Sequence, residues 1–121
     1  MVEFPYMKDI AKITKEIVAF RDVRDWKQFH NPKDLAISLA LEAGEVLEHF
    51  QWKSKEEIQA YIKTNKTEIA EELADVFYYI LLMANDLDID IVKAFNKKML
   101  QNSKKYPVKK AKGKHTKYTK L

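Results

Sequence analysis

Two short stretches of the chain place acids at the same helical spacing: Glu42-Ala43-Gly44-Glu45 and Glu72-Leu73-Ala74-Asp75. Residues three apart lie about 60° apart around an α-helix, so each pair projects to one side of its helix. Both pairs are set in runs that are otherwise mostly Leu, Ala, Val, Ile and Phe. Carboxylates gathered between packed helices repel one another unless a cation stands among them. Hard divalent ions such as Mg²⁺ prefer carboxylate oxygen, so the pattern predicts a metal site.

The ordinary alternative is a pair of solvated helix faces. On the first helix Asp34, Ser38, Glu42, Glu45, Glu48 and His49 form one stripe, as a water-facing side would. That stripe contains no Lys or Arg, whereas solvated faces usually mix both signs. Gly44 sits between the acids at a cost of about 1 kcal/mol relative to Ala, which points to close backbone approach or room for a ligand. On the second helix Glu68, Glu72, Asp75, Tyr79 and Asp86 share one side, while Ile69, Leu73, Val76, Phe77, Ile80, Leu81 and Met83 cover the rest. Only a narrow polar strip remains, so Glu72 and Asp75 are expected to face the first pair. An unpaired charge there would cost several kcal/mol, roughly the penalty of a lone buried ion.

Other sites fail on spacing. Di-iron bundles need Glu-x-x-His on two helices; His49 follows Glu45 by four, and residues 66–86 contain no His. Gly113-Lys114-His115 lacks the earlier Gly and the Ser/Thr of a phosphate-binding P-loop, and no Gly-rich dinucleotide motif occurs. With no Cys, neither a disulfide framework nor a thiolate zinc site is available.

The elements that must position these acids are all helical. Only two Gly and three Pro occur, and no stretch alternates as a strand does. A first helix is expected over about residues 7–26, with Ile10, Ile13, Ile17 and Phe20 on one face. Asn31 before Pro32 is an N-cap and first-turn signal for a second helix reaching about residue 50. Ser54 with Glu57 matches a capping box that opens a short helix to about residue 63. A turn at Thr64-Asn65 then precedes a long helix over about residues 66–86, apolar over most of its circumference and so in need of cover from other helices or another subunit. Asp88 or Asp90 is expected to cap a last helix that ends before Pro107, followed by a loose or extended tail. The expected organisation is a helical-bundle domain over residues 1–107 and a basic tail over residues 108–121.

Charge is distributed unevenly. Residues 1–90 carry all 18 acids and 11 basic residues, a balance of −7, while residues 91–121 carry 11 Lys and no acid. Carboxylates that hold a metal beside lysines that hold a polyanion would account for this, and lysines solvating a helix and tail would account for much of it equally. The N-terminal residues lack the pattern of a secretion signal, and the longest apolar run is too short to span a bilayer, so a cytoplasmic protein with no membrane partner is expected.

Several blocks together resemble the MazG-type all-α nucleoside triphosphate pyrophosphatases, in particular their dCTP pyrophosphatase branch. Glu42-x-x-Glu45 and Glu72-x-x-Asp75 match the signature. Asp25-Trp26-Lys27-Gln28-Phe29-His30-Asn31-Pro32 is similar to the block before the first metal helix, and Gly44-Glu45-Val46-Leu47-Glu48-His49-Phe50-Gln51-Trp52 to that helix. Glu71-Glu72-Leu73-Ala74-Asp75-Val76, Asn102-Ser103-Lys104-Lys105-Tyr106-Pro107-Val108 and the late Lys117-Tyr118-Thr119 follow in order.

The resemblance implies Mg²⁺-dependent hydrolysis, with Mn²⁺ as a substitute ion, of a (deoxy)nucleoside triphosphate such as dCTP to monophosphate and pyrophosphate, in a nucleotide-pool-cleaning role. It implies an all-α bundle completed by homo-oligomerisation, as a dimer or a tetramer. It makes Glu42, Glu45, Glu72 and Asp75 metal ligands, with Glu45 or Glu48 orienting or deprotonating the attacking water. Trp26, His30 and Trp52 match positions that enclose or read the base, Tyr79 matches another pocket position, and Lys98, Asn102, Lys105 and Tyr106 match the triphosphate end. Lys105 replaces an Arg common in relatives, which keeps the charge and loses the bidentate fork. Two rivals remain on sequence alone. An antitoxin-like, partner-binding helical module would explain the apolar long helix but not the facing acids. A nucleic-acid binder using the lysines would be repelled by the acidic first 90 residues.

Overall fold

A computed structural model describes residues 8–121, and all of their regular structure is helical. Five α-helices follow in order: α1 (Ile10–Val23), α2 (Pro32–Glu48), α3 (Lys55–Asp86), α4 (Ile91–Lys105) and α5 (Val108–Ala111). Short 3-10 turns at Lys27–Phe29 and Tyr118–Lys120 complete the chain. The described chain forms two compact units, one ending at Asp88 and the other Ile89–Leu121.

Local chemistry sets the helix starts. Asp9 accepts a hydrogen bond from the Lys12 N–H (2.8 Å), and Asn31 accepts one from the Asp34 N–H (2.9 Å) ahead of Pro32 in the first turn. At Ser54 the capping box is complete: Glu57 N–H donates to Ser54 Oγ (3.2 Å) and Ser54 N–H donates to Glu57 Oε1 (3.1 Å). Of the two candidates for the α4 cap, Asp90 takes the role by accepting from the Lys93 N–H at 3.0 Å. Asp88 is instead in the left-handed region (φ 55) that closes α3.

Three expectations need correction. The first helix ends at Val23 rather than at Trp26, because Asp25 turns left-handed (φ 53) and sends the Trp26 N–H back to the Arg21 carbonyl at 3.2 Å. The expected start near Met7 lies outside the described residues. The Thr64-Asn65 turn is a kink inside one helix: Asn65 departs to φ −121, ψ 21 while its side-chain amide donates to the Tyr61 carbonyl at 3.1 Å. An Asn side chain bonding its own backbone competes with the helical ladder, bending it without ending it. The tail is not simply extended, since it forms α5 and a 3-10 turn.

In the first unit α3 is the central element, with α2 and α1 packed on it. Its buried apolar residues, among those described, are Ile17, Leu35, Leu81, Leu82 and Ala84. Such a small core leaves large apolar side chains uncovered: Ile37, Leu41 and Leu47 on α2, and Leu73 and Phe77 on α3, are exposed.

Candidate active site

Packing of α2 on α3 brings the predicted acids together. Glu42 and Glu45 from α2 and Glu72 from α3 each place a carboxylate oxygen within 4.8 Å of the other two. No Lys or Arg ion pair among the described residues reaches any of the three, so a retained proton or a bound cation must relieve their repulsion. Glu42 Oε2 and Glu72 Oε2 are both buried with no hydrogen-bond partner. Burial, followed by the adjacent Glu45 carboxylate and the charges of Asp75 and Glu72, pushes the Glu42 carboxyl up to about 7. The Glu72 carboxyl is raised too, first by the Glu45 carboxylate, then by burial and the charges of Glu45 and Asp75, against a small lowering from His49. Oxygen-only donors, convergent and under-partnered, fit a hard divalent cation and suit no soft metal.

Asp75 stands outside this converging trio. It is exposed, and it joins Glu42 in the wall of a cavity of about 450 Å³ lined also by Ile13, Glu16, Ile17, Phe20, Trp26, Tyr78 and Tyr79. Trp26 and Tyr79 therefore share one aromatic recess with two of the acids. The left-handed Asp25 sets the Trp26 ring edge-on to Phe20 (5.8 Å, 74°), and Phe20 is in turn edge-on to Tyr78 (6.3 Å). Tyr78 packs edge-on to Tyr79 at 5.0 Å. An apolar recess with carboxylates in its wall suits a flat base attached to a metal-bound polyphosphate.

A second cavity, of about 390 Å³, opens beside the same acids and is lined by Glu45, Glu48, His49, Tyr61 and Glu72. Here His49 Nδ1 and the Tyr61 hydroxyl are 2.5 Å apart, joining the end of α2 to the first part of α3. Lys53 Nζ donates to the His49 carbonyl (2.6 Å) and lies 4.2 Å from the Tyr61 ring centre. Glu48 reaches this cavity and is exposed. Around Gly44 the space is open: an added Cβ would meet nothing within 4 Å, so of the two readings of this glycine close backbone approach does not occur, and open room beside the acids does.

The remaining predicted residues are less tied in. His30 is half-buried, its Nδ1 enclosed and without a partner. Trp52 is 87% exposed and lines neither cavity. In the second unit Lys98, Asn102 and Lys105 recur at one-turn and two-turn spacing on α4, and the Tyr106 N–H caps that helix by donating to the Asn102 carbonyl at 2.9 Å.

Sequence reasoning did not single out Tyr78, Glu16 or Tyr61 as lining residues. Ile13, Ile17 and Phe20 were visible as an apolar face, although not as a cavity wall. The Tyr61–His49 contact spans a loop whose path no periodicity encodes.

With this geometry established, the likeness to known proteins is specific. A MazG-like family model matches residues 37–121, a span that contains all the converging acids. The chain is 39% identical over 119 residues to dCTP pyrophosphatase 1 of Rattus norvegicus, covering 97% of this chain and 68% of that protein. It is 36% identical over 119 residues to dCTP pyrophosphatase 1 of Homo sapiens, with 97% and 68% covered. Among solved structures, a pyrophosphatase from Archaeoglobus fulgidus superposes with a TM-score of 0.78 at 34% identity, over 88% of this chain and 99% of that one. Fold, acidic trio and sequence agree, and the chain belongs to the MazG-like family.

Proposed function

We propose that this protein hydrolyses deoxynucleoside triphosphates, dCTP or a close relative among them, to monophosphate and pyrophosphate, and so clears unwanted nucleotides from the cytoplasmic pool. The observation that carries the reading is the convergence of Glu42, Glu45 and Glu72 beside the Trp26–Tyr79 recess, in a chain 36% identical to human dCTP pyrophosphatase 1. Glu42, Glu45 and Glu72, joined by Asp75, hold Mg²⁺, with Mn²⁺ able to replace it. Bound there, the ion would supply charge neutralisation for the triphosphate and a water of lowered pKa.

The chain's own groups do the rest. Glu45 or Glu48 orients the water and takes its proton for in-line attack at the α-phosphorus. Trp26 and Tyr79 stack on the base, while His30 and Trp52 enclose or read it. Lys98, Asn102, Lys105 and Tyr106 bind the triphosphate and meet the charge of the leaving pyrophosphate. Homo-oligomers, dimer or tetramer, cover the exposed α2 and α3 residues.

A panel of ribo- and deoxynucleoside triphosphates, assayed for pyrophosphate release with Mg²⁺, tests this. Preferential turnover of dCTP or its near relatives is expected. Absence of pyrophosphate from every member would leave a non-enzymatic, partner-binding bundle as the better account.

A further inference from the structure

The C-terminal segment, read from sequence as a loose tail, returns to the end of α4. Its 3-10 turn, Tyr118–Lys120, places the Tyr118 ring 4.8 Å from Lys105 Nζ, and the same ring packs edge-on to Tyr106 at 6.0 Å and 76°. One aromatic side chain thus touches two consecutive residues that the proposed function assigns to the triphosphate.

We propose that Tyr118 is a positioning residue that holds the Lys105 ammonium for the triphosphate. This inference rests on the reading of Lys105 as a phosphate contact and adds what keeps it in place. The partner is suited to the task. A carboxylate would restrain Lys105 equally well but would neutralise the charge that phosphate needs, and residues 91–121 contain no acid. An aromatic face attracts the ammonium through its quadrupole and leaves its full charge. An ammonium has three N–H donors, so the ring occupies one side while the others stay free for phosphate oxygens. Restraint matters more here than for an arginine, since a lysine presents a point charge on a flexible stem and has no planar fork to fix its direction. Tyr106, half-exposed, packs edge-on against the Tyr118 ring and helps to hold that ring in place.

The test uses the full chain with Mg²⁺ and dCTP, measuring kcat and KM for Tyr118→Ala, Tyr118→Phe, Lys105→Ala and the Lys105→Ala/Tyr118→Ala double variant, with thermal unfolding as a check on folding. Tyr118→Ala is expected to raise KM about two- to fivefold, the size of an exposed cation–π contact. Tyr118→Phe keeps the aromatic face and should restore the wild-type KM. The double variant should be no worse than Lys105→Ala, because Tyr118 then has no ammonium to hold. If Lys105→Ala raises KM while Tyr118→Ala does not, or if Tyr118→Ala acts equally in the Lys105→Ala background, the positioning role is wrong and the phosphate role of Lys105 stands. If Lys105→Ala leaves KM unchanged, the phosphate role falls and the positioning role falls with it.

Discussion

Arg21 and Asp86, 65 residues apart in sequence, meet in a two-point ion pair, with Nη1–Oδ2 at 2.6 Å and Nη2–Oδ1 at 2.9 Å and the Arg21 side chain only 1% exposed. The pair joins the end of α1 to the end of α3: Arg21 follows Phe20 of the recess wall directly, and Asp86 lies about two turns beyond Tyr78. Asp86→Asn leaves the buried Arg21 charge with only Asp22, 3.8 Å from its Nε, as a partner, so it should destabilise the fold by about 3 kcal/mol in urea unfolding. Burial alone would raise the Asp86 carboxyl, but the bonds from Arg21 and Asn85 and the charges of Arg21 and Lys27 outweigh it and hold it below its ordinary value. Acid therefore protonates the unfolded chain first. The stability from this pair is complete above the ordinary Asp value of about 3.9 and is lost as pH falls through the lowered folded value. Acid titration of Asp86→Asn should lack that component, and an unchanged acid profile would contradict the assignment.

The metal-free acids should act in the opposite direction. A Glu42 carboxyl raised to about 7 keeps its proton in the folded chain where the unfolded chain has lost it. Its contribution is complete below the ordinary Glu value of about 4.3 and declines as pH rises through about 7. Metal-stripped protein should thus lose thermal stability between those limits, and Glu42→Gln should flatten the decline. Mg²⁺ must displace the proton, so the rise in Tm on adding Mg²⁺ should be larger at pH 8 than at pH 6.

Glu45→Gln and Asp75→Asn, assayed separately for pyrophosphate release, divide the four acids. Loss of groups that merely support metal ligands typically costs about 10- to 100-fold, so Glu45→Gln should reduce kcat/KM by about 100-fold or more. Asp75→Asn should cost less, within that range of about 10- to 100-fold, because Asp75 borders the recess beside Glu42 while standing apart from the converging trio. Near wild-type rates in both variants would remove the catalytic role from this cluster.

Much of this was legible in the sequence, for identifiable reasons. The caps at Asn31 and Ser54 are local, three-residue devices, and both occur as read. The all-α fold follows from the scarcity of Gly and Pro together with apolar helical periodicity. That Glu42, Glu45 and Glu72 meet follows from two helices that each have one polar strip. The left-handed Asp25, which ends α1 early, was hidden because Asp fits a helix and a turn about equally well in a single sequence. The Asn65 kink failed the opposite way: a side chain able to break the ladder only bent it. Arg21–Asp86 and His49–Tyr61 are tertiary contacts, set by how helices cross, and no periodicity announces them. Tyr118 was seen only as a motif letter, since its position depends on how the tail folds back.

The exposed apolar residues give a prediction about assembly. Ile37 and Leu41 on α2, and Leu73 and Phe77 on α3, each recur at one-turn spacing and are 38–65% exposed. Light scattering after size exclusion should give a mass of at least a dimer, and Leu41→Lys should shift it toward the monomer by placing a charge in the contact. A monomeric wild-type chain at micromolar concentration would contradict this.

A divalent cation held jointly by Glu42, Glu45 and Glu72 underlies the proposed hydrolysis. The most direct test is titration of metal-stripped protein at pH 8 with Mn²⁺, following loss of the free-ion paramagnetic resonance, with Mg²⁺ added as competitor. The wild-type chain should deplete the free Mn²⁺ signal and release it to Mg²⁺, while Glu42→Gln and Glu72→Gln should each weaken binding by at least about tenfold. Equal binding in the wild type and both variants, or no binding in the wild type, would contradict the claim.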